Sequence, residues 1–236
     1  MRTWILSIAI SLLICACGKT DDSSKEKGNN SPEKTSANSS QSLNEIMRSE
    51  IIGVLKDYFE KKYGPAKRLL DSSRATYEYE IEKCQVRIEY NDKQSINSVE
   101  LSNISNECTF DTKNIFLEGS ADKLTYKDLV KLAIDWQADL SCYSFCGNAF
   151  DPNYGIYVKT PHVTQFIQFK ATSDYSIASS AAHAVKDFFN KKYPDYDMVG
   201  DELGPINAIE YNQVWIDKFK DVKLTSLKFG YQLDKK

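Results

Sequence analysis

Residues 77–90 alternate between apolar and polar side chains, and this alternation is the strongest constraint on the fold. The apolar positions are Tyr77, Tyr79, Ile81, Cys84, Val86, Ile88 and Tyr90. A period of two is typical of β-strands that bury one face. A two-residue turn at Glu82-Lys83 would pair Ile81 with Cys84, Tyr79 with Val86, Tyr77 with Ile88 and Glu78 with Arg87. Glu-Lys does not itself favour a hairpin turn, so the predicted register depends on these side-chain pairs.

Two further segments extend this hairpin to an α-βββ unit. A helix over 43–63 is predicted by apolar residues at helical spacing, namely Leu43, Met47, Ile51, Leu55, Tyr58 and Phe59. Ser42 and Glu45 form a capping box at its start, and Gly64-Pro65 ends it. A third strand is predicted at 96–102, after a turn at 91–94.

Three short stretches of the sequence are matched further along the chain. Residues 56–65 (KDYFEKKYGP) match 186–194 (KDFFNKKYP), residues 81–89 (IEKCQVRIE) match 209–217 (IEYNQVWID), and residues 98–101 (SVEL) parallel 226–229 (SLKF). Three matches in the same order at a nearly constant offset predict that residues 43–108 are duplicated in residues 176–236. The alternative is that unrelated amphipathic elements have converged on similar compositions.

The remaining elements follow from the duplication and from periodicity. The predicted elements are helices at 125–140 and 176–193 and strands at 155–160, 163–172, 207–216 and 222–233. Helices followed by antiparallel strands predict an α+β fold with helices packed on an antiparallel sheet. It would consist of internally duplicated α-βββ units with a middle α-ββ unit. This order is similar to that of small helix-on-sheet proteins such as β-lactamase inhibitory proteins, and the resemblance concerns the fold alone.

The first 17 residues have the features of an export signal. Arg2 precedes an apolar run from Trp4 to Ile14, which ends in Ile14-Cys15-Ala16-Cys17. A small residue before a cysteine resembles the lipobox of bacterial lipoprotein precursors, although Cys15 stands where the family usually has a small residue. The resemblance implies that residues 1–16 are removed and that Cys17 is lipidated. The apolar run is shorter than the roughly 20 residues of a membrane-spanning helix.

The segment after Cys17 contains no aromatic and no large aliphatic residue up to Gln41. Such a composition cannot bury enough apolar surface to fold. Residues 17–42 are therefore predicted to be a lipidated cysteine with a disordered tether, and residues 43–236 a folded domain. Gly18 follows the lipidated cysteine, where Asp would signal retention in the inner membrane. In a Gram-negative cell, the resemblance therefore implies anchoring in the outer membrane, facing the periplasm.

Four cysteines remain after removal of the signal, namely Cys84, Cys108, Cys142 and Cys146. An even number in an exported domain predicts two disulfides. A zinc site is the alternative, but zinc sites favour closely spaced ligands on both sides, and Cys84 and Cys108 are far apart. Three pairings are open from the sequence. The third predicted strand ends beside Cys84 and shortly before Cys108, which favours the pairs 84–108 and 142–146.

No catalytic motif is present in the sequence. Gly-x-Ser-x-Gly, His-Glu-x-x-His, P-loop and Gly-x-Gly-x-x-Gly patterns are all absent. The two histidines, His162 and His183, have no local features of a nucleophile's partner or a metal ligand. The 30 basic and 33 acidic residues are spread without a basic block that would indicate nucleic-acid binding. We therefore expect no enzymatic activity, no cofactor, no metal site and no nucleic-acid partner.

Aromatic residues at two places are the candidate binding residues. The first place is a loop that contains Tyr143, Phe145, Phe150 and Tyr154, which a 142–146 disulfide would constrain. Rigid aromatic side chains suit protein interfaces, and the alternative is that Phe145 and Phe150 fill the core. The second place is Trp215, which alternation in the predicted strand at 207–216 puts on the outward face. There it is either covered by another part of the chain or available to a partner.

These features together predict a lipid-anchored envelope protein that binds another envelope protein, for example as an inhibitor or immunity protein. The alternatives are an envelope hydrolase that uses carboxylates outside known motifs, and a carrier of a small ligand or lipid. An enzyme would show converging carboxylates with shifted pKa values. A carrier would show a deep apolar pocket, and a binding protein an exposed recognition patch.

Overall fold

The described part of the chain folds into an eight-stranded antiparallel sheet with helices packed on one face. The computed structural model describes residues 39–139, 154–160, 168–196, 204–231 and 233. The α-helices are α1 (Ser39–Ile46), α2 (Lys56–Tyr63), α3 (Tyr126–Val130), α4 (Tyr175–Lys192) and α5 (Ala208–Phe219). The strands are β1 (Arg68–Asp71), β2 (Thr76–Ile81), β3 (Cys84–Tyr90), β4 (Ile96–Ser102), β5 (Asp135–Ala138), β6 (Tyr154–Lys159), β7 (Gln168–Ser173) and β8 (Ser226–Gly230). Short 3₁₀ helices lie at Ser49–Ile51, Thr112–Ile115 and Ala121–Lys123.

The order of strands across the sheet is β1-β2-β3-β4-β8-β7-β6-β5, with every neighbouring pair antiparallel. Two four-stranded halves therefore meet where β4 pairs with β8 at the centre. The helices α4 and α5 lie between β7 and β8 along the chain. The predicted α+β class with an antiparallel sheet is confirmed. No helix among the described residues is long and apolar enough to cross a membrane.

The predicted hairpin is confirmed residue by residue. Strand β2 pairs with β3 in the register of Ile81 with Cys84 and Glu78 with Arg87. The turn residues Glu82 and Lys83 both have positive φ, 56° and 73°, as a type I′ turn requires. A tertiary contact stabilises this unfavourable sequence, because the Glu82 carboxylate accepts hydrogen bonds from the backbone N–H groups of Ser42 and Leu43, at 3.0 and 3.3 Å.

The single helix predicted over 43–63 is wrong, because the segment is broken between α1 and α2. Gly53 has a φ of 92°, which favours glycine and ends any helix. Its N–H donates to the carbonyl oxygen of Ile96, and Val54 accepts from the N–H of Ile96. The chain between the helices is therefore held by the start of β4. Helix α1 also begins at Ser39, inside the predicted tether and before the predicted cap at Ser42.

The strand predicted over 207–216 is also wrong, since this segment is helix α5. Asn207 caps the helix by accepting a hydrogen bond from the N–H of Ile209, at 2.8 Å. Its buried residues Tyr211, Val214, Trp215 and Phe219 recur at helical spacing. Since residues 81–89 form a hairpin and their match at 209–217 is helical, the internal duplication is not confirmed.

The helix predicted over 125–140 is shorter than expected. A capping box of Thr125 and Asp128 starts α3, but the helix ends at Val130. Asp135–Ala138 instead form β5 at one edge of the sheet. The helix predicted at 176–193 is confirmed as α4.

Two rows of apolar side chains cover one face of the sheet. One row consists of Tyr77, Ile88, Val99, Phe229, Phe169, Val158 and Trp136, and the next of Tyr79, Val86, Leu101, Leu227, Ala171, Ile156 and Ala138, each residue in register with the next. Helices pack on this face, as shown by the ring contacts of Phe59 with Tyr79 at 5.0 Å and of Phe219 with Tyr154 at 5.4 Å. The core therefore lies between this face and the helices.

The disulfide between Cys84 and Cys108 forms as predicted, with a Cα–Cα distance of 5.5 Å. It ties the start of β3 to the segment that leaves β4. The second predicted pair, Cys142 and Cys146, lies outside the described residues.

Candidate functional site

The candidate binding residues named from the sequence do not form a described surface. Trp215 and Tyr154 are fully buried. Outside the described residues lie Cys17, Cys142, Tyr143, Phe145, Cys146, Phe150 and His162. His183 is exposed on α4, where its ring meets Tyr175 edge-on at 6.4 Å.

The predicted outward position of Trp215 is wrong because α5 turns this side chain toward the sheet. Its indole stacks on Phe219 with ring centroids 4.2 Å apart and meets Tyr126 edge-on at 4.8 Å. The hydroxyl of Tyr126 donates to the backbone oxygen of Tyr154 at 2.5 Å. This aromatic cluster therefore joins α3, α5 and β6 within the core.

A second aromatic group joins α2 to the hairpin. The hydroxyl of Tyr79 donates to Oε1 of Glu60 at 3.0 Å and lies 2.8 Å from the hydroxyl of Tyr90. The ammonium of Lys56 lies 3.5 Å from the centre of the Tyr77 ring. Burial, together with the Tyr90 and Glu60 contacts, raises the pKa of Tyr79 well above its ordinary value. Burial also raises the pKa of Tyr90.

The buried tyrosines are expected to make the fold sensitive to alkali. Burial also raises the pKa of Tyr126, and it raises that of Tyr154 to about 12. A group whose pKa is higher in the folded than in the unfolded state stabilises the folded state while it is protonated. This stabilisation is fully present below the unfolded-state pKa and is lost as the pH rises through the folded-state pKa. We therefore expect the free energy of unfolding to fall above about pH 10, measured by urea titration at stepped pH. A stability that stays constant up to about pH 12 would contradict this expectation.

The face of the sheet opposite the helices carries a row of polar side chains, one from every strand. Across the sheet, the row consists of Arg68, Glu78, Arg87, Glu100, Lys228, Lys170, Tyr157 and Gln137, each in register with the next. We call these eight residues the polar row and this side of the sheet the polar face. Charges alternate in sign along the row from Arg68 to Lys228.

Glu78 is the most buried charge of the polar row, with 3% of the residue exposed. Arg68 on β1 approaches it with two nitrogen atoms, at 2.9 Å from Nε to Oε1 and at 3.1 Å from Nη2 to Oε2. Such a bidentate pair fixes both side chains. Arg87 on β3 lies on the other side of Glu78, at 3.9 Å.

Contacts at the centre of the polar row connect the two halves of the sheet. Glu100 of β4 accepts hydrogen bonds from Ser226 of β8, at 2.8 Å, and from Arg87, at 3.5 Å. Lys228 of β8 pairs with Glu89 of β3 at 2.8 Å. These contacts span the β4–β8 junction, so the charged side chains are held in one arrangement.

Lys170 lies next to Lys228 in the row and is 35% exposed at its side chain. Its ammonium lies 5.0 Å from the centre of the Tyr157 ring and 3.7 Å from the carboxylate of Asp139. Desolvation lowers the pKa of Lys170, but the Tyr157 hydrogen bond and the charges of Asp139 and Glu100 outweigh it and raise the pKa overall. Lys170 is therefore a positive charge at neutral pH.

Small residues flank the polar row on both sides. They are Ser98, Ser102, Gly155, Thr172, Ser226 and Gly230. At Gly230 a side chain would collide with β4, because a Cβ there would lie 2.4 Å from the backbone oxygen of Asn97. The centre of the row is therefore bordered by small side chains, whereas longer ones, such as Gln85, Glu89 and Gln168, continue the same flanking rows.

A depression of about 430 Å³ lies at the β5–β6–β7 end of the sheet. Side chains of the polar face line it, namely Asp135, Gln137, Tyr157, Lys159 and Gln168, together with the intervening Trp136, Val158 and Phe169. Its volume is in the range of small-ligand sites, but such sites are mainly apolar. Tyr157 belongs both to this depression and to the surroundings of Lys170.

Sequence reasoning missed the polar face as a site. The alternation at 77–90 indicated that Glu78 and Arg87 share a face, but the strand order that aligns them with Lys228 and Lys170 depends on pairing between β4 and β8, far apart in the chain.

Among the described residues, no group of three or more His, Cys, Asp or Glu side chains could hold a metal ion. Comparison of the chain with protein-family models, curated proteins and solved structures found no match.

Proposed function

We propose that this protein is a lipid-anchored module of the cell envelope that binds another envelope protein through the polar face of its sheet. The anchor rests on the lipobox resemblance at Cys17, and residues after it form the tether. The binding role rests on one observation, the polar row that runs across all eight strands on the side away from the helices. The proposed placement is the outer membrane, facing the periplasm.

The preorganised charges of the polar face support binding. Ion pairs and hydroxyl contacts hold Glu78, Glu89 and Glu100 in place, so little side-chain entropy remains to be lost when a partner docks. The small residues beside the centre of the row leave room for side chains of a partner. Fixed charges of both signs favour specificity, since a partner with mismatched charges is repelled.

The carboxylates support binding rather than hydrolysis. A general acid near neutral pH needs a carboxyl group whose pKa is raised. Among the described residues, every carboxyl group whose pKa departs from its ordinary value departs downwards. For example, hydrogen bonds from Lys123 and Ser120 lower the pKa of Asp122 to about 2. The polar lining of the depression likewise gives little support to a lipid carrier.

Photocrosslinking in intact cells tests this proposal. A photoreactive phenylalanine derivative is placed at Tyr157 on the polar face or, as a matched control, at Tyr58 on α2, which is 65% exposed. We expect the chain with the label at Tyr157 to capture one defined envelope protein, identified by mass spectrometry, and the chain with the label at Tyr58 not to capture it. A Cys17→Ser chain, which lacks the acylation site, is expected to leave the membrane fraction.

Capture of the same proteins from both positions, or from Tyr58 alone, would contradict binding through the polar face. Wild-type protein that fractionates without the membrane and carries no acyl mass on Cys17 would contradict the anchor.

A further inference from the structure

The charges of the polar face are separated between the two halves of the sheet. Strands β1 to β4 carry four glutamates and two arginines there, namely Glu78, Glu80, Glu89, Glu100, Arg68 and Arg87. Strands β5 to β8 carry three lysines and one aspartate there, namely Lys159, Lys170, Lys228 and Asp135. The polar face therefore has an acidic half and a basic half that meet at the β4–β8 junction.

The basic half contains a pair of like charges, each of which has a carboxylate partner within the fold. Lys170 and Lys228 lie directly opposite each other on neighbouring strands, and like charges in that position destabilise a sheet. Both are largely removed from water, with side chains 35% and 22% exposed. Lys228 has a close carboxylate in Glu89 at 2.8 Å, whereas the ion pair of Lys170 with Asp139 is longer, at 3.7 Å.

A further carboxylate near Lys170 would add to the attraction that Asp139 already exerts on its ammonium. A charge-assisted hydrogen bond is stronger than a neutral one, and partial burial reduces the screening of the attraction by water. Tyr157 holds the ammonium from one side, so the donor is positioned before a ligand arrives. Tyr157 also lines the depression, together with Lys159.

We propose that the basic half of the polar face, formed by Lys159, Lys170 and Lys228, receives acidic side chains of the protein partner. This inference rests on the proposed function and specifies the chemistry of the partner. The partner would carry a cluster of aspartate or glutamate opposite Lys170. Basic residues of the partner would face the glutamates of β2, β3 and β4.

The acidic half of the same face favours a protein over a uniformly anionic surface. Glu78, Glu89 and Glu100 lie on β2, β3 and β4, across the β4–β8 junction from Lys170, and they would repel a nucleic acid or an anionic membrane lying flat on the sheet. A protein surface can present both signs of charge at the required separation. The observations therefore favour an acidic patch on a folded partner.

A peptide-binding experiment with the full chain tests the inference. The probes are a fluorescent hexaglutamate peptide and a hexaglutamine peptide of the same length, followed by anisotropy at low and at physiological salt. We expect hexaglutamate alone to bind, more weakly as salt rises. Lys170→Gln should weaken this binding about tenfold, the effect of losing roughly 1.4 kcal/mol of charge-assisted contact. Lys159→Gln, which changes an exposed side chain, should also weaken the binding of hexaglutamate.

The matched control is Lys191→Gln, because Lys191 is an exposed lysine on α4, away from the polar face. We expect this variant to bind within twofold of the wild type. The inference fails if hexaglutamate does not bind, if Lys170→Gln has no effect, or if Lys191→Gln weakens binding equally. It also fails if DNA or anionic phospholipid vesicles bind through Lys170 as strongly as hexaglutamate does.

The two proposals fail separately in these experiments. If a partner is captured from Tyr157 but Lys170→Gln leaves hexaglutamate binding unchanged, the proposed function stands and the acidic character of the partner is rejected. The absence of any partner captured from Tyr157 would reject the proposed function itself.

Discussion

Replacing Trp215 by alanine is expected to lower the free energy of unfolding by about 3–5 kcal/mol, the usual cost of truncating a fully buried tryptophan. The indole has no exposed surface and stacks on Phe219. Its removal leaves a cavity between α5 and α3, where Tyr126 also loses a ring contact. Urea unfolding followed by circular dichroism measures the effect.

Two variants calibrate this result. Ile209→Ala changes a residue on the same helix that is 80% exposed, so a change within about 0.5 kcal/mol is expected. Trp215→Phe keeps an aromatic ring, and no hydrogen bond of the indole N–H among the described residues is lost; it should cost clearly less than alanine. If Trp215→Ala changes stability no more than Ile209→Ala does, then Trp215 is not part of the core.

Removing the Cys84–Cys108 disulfide is expected to lower the free energy of unfolding by about 3 kcal/mol, because the bond closes a loop with a sequence separation of 24. The variant Cys84→Ala/Cys108→Ala avoids leaving a free thiol, and Cys84 itself is buried. Urea unfolding without reductant, compared with the wild type under the same conditions, measures the loss.

The paired variant Cys142→Ala/Cys146→Ala is the control, since the bond predicted there would close a much shorter loop and stabilise less. A larger loss from this control than from the 84–108 variant would contradict the account. Peptide mapping without reduction that finds Cys84 joined to Cys142 would contradict the strand layout.

The β2–β3 hairpin was predicted correctly because the residues that pair across it all lie within one short segment of the chain. Each apolar residue from Tyr77 to Ile88 has its partner within the same short segment, so the alternation fixes the faces and the register together. The disulfide between Cys84 and Cys108 could be predicted from that register, because β4 returns the chain to the start of β3.

The same reasoning failed at 207–216 because similarity to the hairpin was given more weight than local signals. Asn207 is a helix cap, and Tyr211, Val214, Trp215 and Phe219 have helical spacing, both of which are readable from the sequence. At 43–63 the helical spacing was real, but a single residue, Gly53, interrupts it with a positive φ.

Only the β2–β3 part of the polar face could be predicted from local sequence. Its row depends on the pairing of Glu100 with Lys228 and of Lys228 with Lys170, which joins segments from opposite ends of the domain. The sequence predicted Trp215 and Tyr154 as binding residues, but both are buried in the core, where α5 packs on the sheet. Aromatic residues suit both cores and interfaces, so residue type alone did not separate the two.

Lysine footprinting in intact cells tests binding through the polar face most directly. Acetylation of individual lysines is measured by mass spectrometry in cells and in the purified protein, and the ratio corrects for intrinsic accessibility. The account predicts that Lys159 and Lys170 on the polar face are protected in cells, while Lys61 on α2 and Lys191 on α4 react equally in both samples. Equal reactivity of Lys159 and Lys170 in both samples, or protection of Lys61 and Lys191 instead, would contradict it.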